Sequence, residues 1–258
     1  MKTENGKWRM KSLVIAVMIL LTAYCLLVTA QEQPPESTAP RAVKIPKISE
    51  SKLPNGLKVV VVERKNVPLV AVSLLIDSGA EVDEKAGLAN MTGDLLTKGT
   101  KTRSAEAIAE QMEFLGAGIN SFTNWMATNV GFGATTDKLD KAMAILADVV
   151  INPTFPQSEI DLYKSQTIDD LNVNLKQSGT LARFVASRYT FGEHPIQGTP
   201  ESIKSITRKD LLAVYKKNFL ADKSTLIFTG DITSAKANAL AKKHFGVWKS
   251  QKPKTMIA

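Results

Sequence analysis

A chain of 258 residues, 44% apolar and 22% charged, has ordinary globular composition and is long enough for one or two cored domains. Its formal net charge is +8, but the first thirty residues carry four basic groups and one acidic, which leaves +5 for the rest. That balance is modest, no nucleic-acid-binding motif accompanies it, and no nucleic-acid partner is expected. The single cysteine, Cys25, lies in the amino-terminal segment, so a disulfide framework and thiol chemistry are excluded from the globular part.

Lys2, Lys7, Arg9 and Lys11 precede an uncharged run from Leu13 to Val28, and Val28-Thr29-Ala30 offers small residues before Gln31. Residues 1–30 therefore read as a signal peptide or, if uncleaved, a membrane anchor. Tyr24 before Cys25 does not fit lipoprotein processing. The globular part is expected to be exported, to the periplasm or another extracytoplasmic space, with membrane association only if the signal stays. Residues 31–50 are rich in Pro, Glu, Ser and Lys and read as a linker.

Leu57 to Glu63 and Leu69 to Ile76 are β-branched and apolar, separated by Asn66-Val67-Pro68, and predict two strands. A helix follows from Gly87 to Leu96. Ser104 caps a second, which Gly116 ends. Gly118 to Thr123 and Met126 to Ala134 predict two more strands. Asp137 to Val150 has apolar residues at helical spacing and stops at Asn152-Pro153. Helices over 157–175, 181–191 and 208–219, a strand over 224–230 and a helix over 234–245 complete the pattern. Strands come in adjacent pairs, which predicts an α+β fold: a mainly antiparallel sheet with helices packed on one face. Lys242, Lys243, Lys249, Lys252 and Lys254 read as a solvated face and tail, His194 as a loop residue and His244 as a surface residue.

Several segments then carry a resemblance. Leu53-Pro54-Asn55-Gly56-Leu57, the stretch from Ser78-Gly79-Ala80 through Asp83-Glu84 to Gly87-Leu88-Ala89, and Lys98-Gly99-Thr100 occur in that order. Gly116-Ala117 with Ile119-Asn120-Ser121-Phe122-Thr123, Phe191-Gly192 with His194-Pro195, Gly198 to Ile203, and Leu226 to Ile232 come after them. Together they resemble the pitrilysin/insulinase peptidases, in particular their processing-peptidase-like branch. The resemblance runs from Leu53 to Gly246 and implies the amino-terminal metallohydrolase half-domain of that family over residues 51–248. Residues 249–258 would be a tail or the start of an interdomain linker.

The resemblance also implies an H-x-x-E-H helix, in which two imidazoles bind zinc and the Glu takes a proton from metal-bound water. Here those positions hold Asn90, Gly93 and Asp94, and the third ligand position falls at Asp170, or at Asp169 in an alternative register. An amide oxygen is a poor zinc ligand, and glycine offers no base. Loss of general-base catalysis alone forfeits roughly 10²–10⁴-fold. Asp94 and Asp170 could offer a hard cation two carboxylates, fewer oxygens than such ions take. No catalytic residue and no zinc cofactor are expected.

What the resemblance leaves is a binding role. Active and degenerate subunits pair in the family, so an active zinc-peptidase subunit or a second half-domain is the expected partner. The strand from Ala117 to Thr123 would receive an extended peptide by strand addition, with Asn120, Phe122 and Thr123 as contacts. Phe122 has an equally good reading as a core residue. Family subunits have two similar halves, whereas this chain ends at Ala258, after the first. The expected function is a non-catalytic peptidase-like subunit. Its alternatives are a zinc metalloendopeptidase with a rearranged site, or a peptide-binding or assembly protein unrelated to proteolysis.

Overall fold

A computed structural model describes residues 11, 13–22, 46–191 and 195–250. Residues 13–22 form helix α1, exposed along its length, within a compact unit spanning Met1–Lys44. A second unit, Ile45–Ala258, contains the sheet and the other helices. Among the described residues no helix is long and apolar enough to cross a membrane. The expected cleavage site at Val28 to Ala30, most of the linker, His194 and residues 251–258 lie outside the described residues.

Six strands form one sheet: β1 (Ile48–Lys52), β2 (Lys58–Glu63), β3 (Leu69–Ile76), β4 (Ile119–Thr123), β5 (Thr128–Thr135) and β6 (Ser224–Gly230). Their order is β1-β2-β6-β3-β5-β4. Every pairing is antiparallel except β2 with β6. Alternation sets the faces. Val70, Val72, Leu74 and Ile76 of β3 are buried on one face with Val59 and Val61 of β2, Val130 and Phe132 of β5, and Leu226 and Phe228 of β6. Leu69 and Leu75 of β3 and Phe122 of β4 are exposed on the other.

The helices are α2 (Leu88–Leu95), α3 (Ala105–Phe114), α4 (Leu139–Ile151), α5 (Gln157–Asn174), α6 (Ser178–Phe191), α7 (Pro200–Ser205), α8 (Arg208–Asn218) and α9 (Ser234–Phe245). Helices α2, α4 and α9 lie against the sheet, and α3, α5 and α8 pack on these. The fold is thus α+β, a mainly antiparallel sheet with its apolar face covered by helices.

Two elements depart from the sequence expectation. Ile48 to Glu50, placed in the linker by their polar composition, begin β1. Only Ser49 of this strand is less than exposed, and an edge strand with charged side chains needs no apolar signature. Helix α7 is absent from the expected pattern, although Thr199 and Ser202 form a capping box with Pro200 in the first turn. At six residues it is too short for apolar periodicity to register.

Candidate functional site

Helix α2 is held at both ends. Gly87, at its N-terminus, has φ +89°. A Cβ there would lie 2.8 Å from Ile203 Cδ1 and 3.0 Å from the Gln197 carbonyl, so glycine serves both the left-handed backbone and close packing with α7. Ser202 Oγ donates to the Ala86 carbonyl at 2.8 Å. Asp83 accepts from the Ala89 amide at 2.8 Å. Burial pushes the Asp83 carboxyl up to about 7, against the pull of the backbone amides. Beyond the C-terminus, Thr100 donates to Asp148 of α4 at 2.7 Å, joined by Arg103 at 2.6 Å and Asn152 at 2.9 Å. Two of the segments that carry the resemblance, 98–100 and 198–203, therefore clamp this helix.

Leu88, Ala89, Met91, Thr92, Gly93 and Leu95 are buried, leaving Asn90 and Asp94 one turn apart facing α5. They meet Tyr163. Asn90 Nδ2 donates to Asp94 Oδ2 and to Tyr163 Oη, each at 3.0 Å. Tyr163 Oη donates to Asp94 Oδ2, also at 3.0 Å. The three side chains close a triangle on the two positions where the resemblance places zinc-binding imidazoles. Burial raises the Asp94 pKa, opposed by Tyr163, Lys98 and Asn90, and burial with the adjacent Asp94 charge raises that of Tyr163.

Gly93 faces the sheet. A Cβ there would stand 2.4 Å from Thr123 Oγ1 and 3.1 Å from Thr128 Cγ2. Thr123 and Thr128 share a hydrogen bond of 3.0 Å, and Thr128 donates to the Ser78 carbonyl at 2.8 Å. The place of a general base is thus filled by two bonded threonines.

Asp169 and Asp170 are exposed on α5. Among the described residues no group of three or more His, Cys, Asp or Glu is placed to hold a metal ion. The donor set present does not fit the zinc that the fold implies. It comprises one amide, one carboxylate already accepting two hydrogen bonds, and no base. Tyr163, the third member of the triangle, is a site residue that sequence reasoning misses. Its one available signal is its position, two helical turns before Asp170 on the helix expected to bring a ligand.

Strand β4 is the last in the sheet, pairing with β5 on one side and with no strand on the other among the described residues. Asn120 and Phe122 project onto the open face, Phe122 at 63% exposure, so the core reading of Phe122 does not hold. Thr123 points the opposite way, buried under Gly93, and can offer a peptide only its backbone. Past β4, the turn Asn124-Trp125-Met126 borders a cavity of about 670 Å³ whose other walls come from α5, α6 and residues 195–197. His244, read as a surface residue, is largely covered: its Nε2 lies 2.8 Å from Asp140, with its side chain at 11% exposure.

Residues 58–191 match the family model described as insulinase (peptidase family M16), and residues 205–257 match that of the peptidase M16 inactive domain. The chain is 28% identical over 208 residues to the probable mitochondrial-processing peptidase subunit beta of Schizosaccharomyces pombe, covering 78% of this chain and 46% of the relative. It is likewise 28% identical over 212 residues to cytochrome b-c1 complex subunit 1 of Bos taurus, covering 78% and 43%. Among solved structures, a peptidase M16 inactive domain from Pseudomonas fluorescens superposes with a TM-score of 0.76 at 25% identity, covering 80% of this chain and 52% of that one. The chain spans about half the length of the curated relatives it matches.

Proposed function

The chain belongs to the insulinase (M16) peptidase family, and from that premise we propose that it is a non-catalytic peptide-binding member that works beside an active zinc subunit. One observation carries this reading. The metal-binding and general-base positions of α2 are Asn90, Asp94 and Gly93, and they are closed by hydrogen bonds to Tyr163 and by packing against Thr123. An activated water needs a metal with an open position and a base to take its proton, and this helix offers neither.

Binding is what the rest of the site can do. On its outer side β4 pairs with no strand among the described residues, an edge suited to strand addition, with Asn120 and Phe122 on the open face. Pairing is supported by the relatives, both of which are named as subunits. The open sheet face also favours a partner, either a catalytic subunit or a second half-domain. Export is part of the proposal and rests on the basic start and the apolar run from Leu13 to Val28.

The test is to mix the purified chain with a family subunit that carries an intact H-x-x-E-H helix and follow both co-elution and cleavage of an extended peptide. Co-elution with raised cleavage is expected. Peptide binding without co-elution or effect on cleavage would instead favour a binding role unrelated to proteolysis.

A further inference from the structure

One end of the sheet carries a surface that the peptide-binding reading does not use. The pairings of Ile48 with Val62, Glu63 with Gly230, Gly230 with Val70 and Leu69 with Thr135 bring the starts of β1 and β3 and the ends of β2, β5 and β6 together there. Strand β4 does not reach this end. It meets β5 from Phe132 to Thr128, opposite Val72 and Ile76 of β3. Gly93 of α2 packs over Thr123 and Thr128, also toward the other end.

Two kinds of exposed side chain meet at this end. Lys47, Arg64 and Lys65 are exposed, and among the described residues none of the three forms an ion pair. Ile48, Val67 and Leu69 are exposed by 56%, 58% and 51%. The β2–β3 loop is tied to the sheet on both sides: the Arg64 amide donates to the Gly230 carbonyl at 2.7 Å, and the Thr136 amide to the Pro68 carbonyl at 3.1 Å. Of the acids nearby, Glu63 accepts from the Ser234 amide at 2.9 Å and its hydroxyl at 3.1 Å, and Asp137 lies 3.7 Å from Lys138. Asp231 is half-buried. The Ser234 bonds hold the Glu63 carboxyl below its ordinary range, and the charges of Lys65 and Lys47 add to them, so both lysines stand over the same carboxylate.

The chain enters this end through a basic approach. Arg41, Lys44 and Lys47 precede β1, and upstream of them lies the uncharged run from Leu13 to Val28. Apolar side chains among cations, next in sequence to an apolar targeting segment, match the chemistry of an anionic lipid surface. There cations meet headgroup phosphates and apolar side chains enter the interface. We propose that this end of the sheet rests on an anionic phospholipid bilayer, with Lys47, Arg64 and Lys65 on headgroup phosphates and Val67 and Leu69 in the interface. The eight residues of β3 separate the two ends of the sheet by about 25 Å. The turn after β4 therefore points away from the bilayer, and the β4 edge stays open to peptide.

The experiment uses the full chain on a Cys25→Ser background, labelled with the polarity-sensitive dye nitrobenzoxadiazole at Val67→Cys or at Lys52→Cys, the opposite end of β1. Each is reconstituted into vesicles of phosphatidylcholine with or without phosphatidylglycerol. A blue shift with a gain in emission is expected at position 67 only with phosphatidylglycerol, and none at position 52. At about fivefold per basic residue, Arg64→Gln with Lys65→Gln should lower the ratio of docked to free about 25-fold and remove the shift. Salt at about 1 M, where the screening length falls to about 3 Å, should remove it too. Lys216→Gln with Lys217→Gln, the same charge change on the exposed side of α8, should keep it. Both pairs are surface substitutions and should leave Tm unchanged.

No shift at position 67 with phosphatidylglycerol overturns the proposal, as does a shift of equal size in phosphatidylcholine alone or one that survives Arg64→Gln with Lys65→Gln. A shift produced by adding a family subunit with an intact H-x-x-E-H helix, and not by anionic lipid, overturns it in favour of a protein partner at this end. None of these outcomes depends on peptide binding at β4 or on the chemistry of α2.

Discussion

Asp94 and Asp148 are both partly buried carboxylates set in hydrogen bonds, yet their charges act on stability in opposite directions. Burial raises the Asp94 pKa in the folded chain, so the folded state holds the proton more tightly than the unfolded one. Stability from this group is greatest below the unfolded value of about 3.9 and falls as pH rises through the raised value. Asp94→Asn keeps an acceptor for Asn90 and Tyr163 and removes the buried charge. It should raise Tm at pH 7, with the gain vanishing near pH 4, as followed by circular dichroism. At Asp148 burial pulls upward too, but Thr100, Asn152, Arg103 and Thr102 outweigh it and hold the carboxyl below its ordinary range. Its contribution is full above about 3.9 and is lost as pH falls through the folded value. Asp148→Asn should therefore lower Tm at pH 7. Tyr163→Phe strips Asp94 of a donor and should cost about 1–3 kcal/mol in urea denaturation, and the loss should shrink in the Asp94→Asn background if the two residues act as a pair. Asn90, Gly93 and Asp94 can be singled out in the sequence because they stand at fixed spacing on one short helix. Tyr163 cannot, because its bonds span 73 and 69 residues and exist only once α5 docks on α2.

Local pattern is a good guide to most elements. Runs of β-branched and apolar residues mark β2 and β3, and Ser104, whose side chain accepts from the Ala107 amide at 3.2 Å, caps α3 as expected. Sheet order is not legible locally. Strand β6 inserts between β2 and β3 after more than half the chain has intervened, and its parallel pairing with β2 leaves no mark on either strand's composition. The Leu53 to Leu57 segment resembles the opening of a strand. In the fold, Asn55 donates to the carbonyls of Phe245 and Trp248 at 2.8 and 3.1 Å, tying the β1–β2 turn to the end of α9. The contact between α2 and β4 is tight enough to test directly. Gly93→Ala gains up to about 1 kcal/mol of helix propensity, but its Cβ would sit 2.4 Å from the buried Thr123 hydroxyl. Overpacking of that kind costs about 1–3 kcal/mol, so the variant should be less stable in chemical denaturation. A more stable variant would show that β4 yields easily and that the space for a base is only nominally closed.

Across the whole molecule, one face of the sheet is covered by helices while the other leaves Ile48, Leu69, Leu75 and Phe122 exposed. The same chain matches the family over residues 58–191 and 205–257 while α2 carries Asn90, Gly93 and Asp94 at the positions where the resemblance places ligands and base. Scaffold and chemistry are separable because packing around Val72, Phe132 and Phe228 does not depend on what Asn90 and Asp94 do at the surface of α2. That separation leads to the most direct test, zinc content and peptide hydrolysis of the purified full chain on its own. Substoichiometric zinc with no chelator-sensitive cleavage is the predicted result. Zinc near one per chain with cleavage that a chelator abolishes would contradict the non-catalytic reading, and would mean that a working metal site lies outside the Asn90–Asp94 helix.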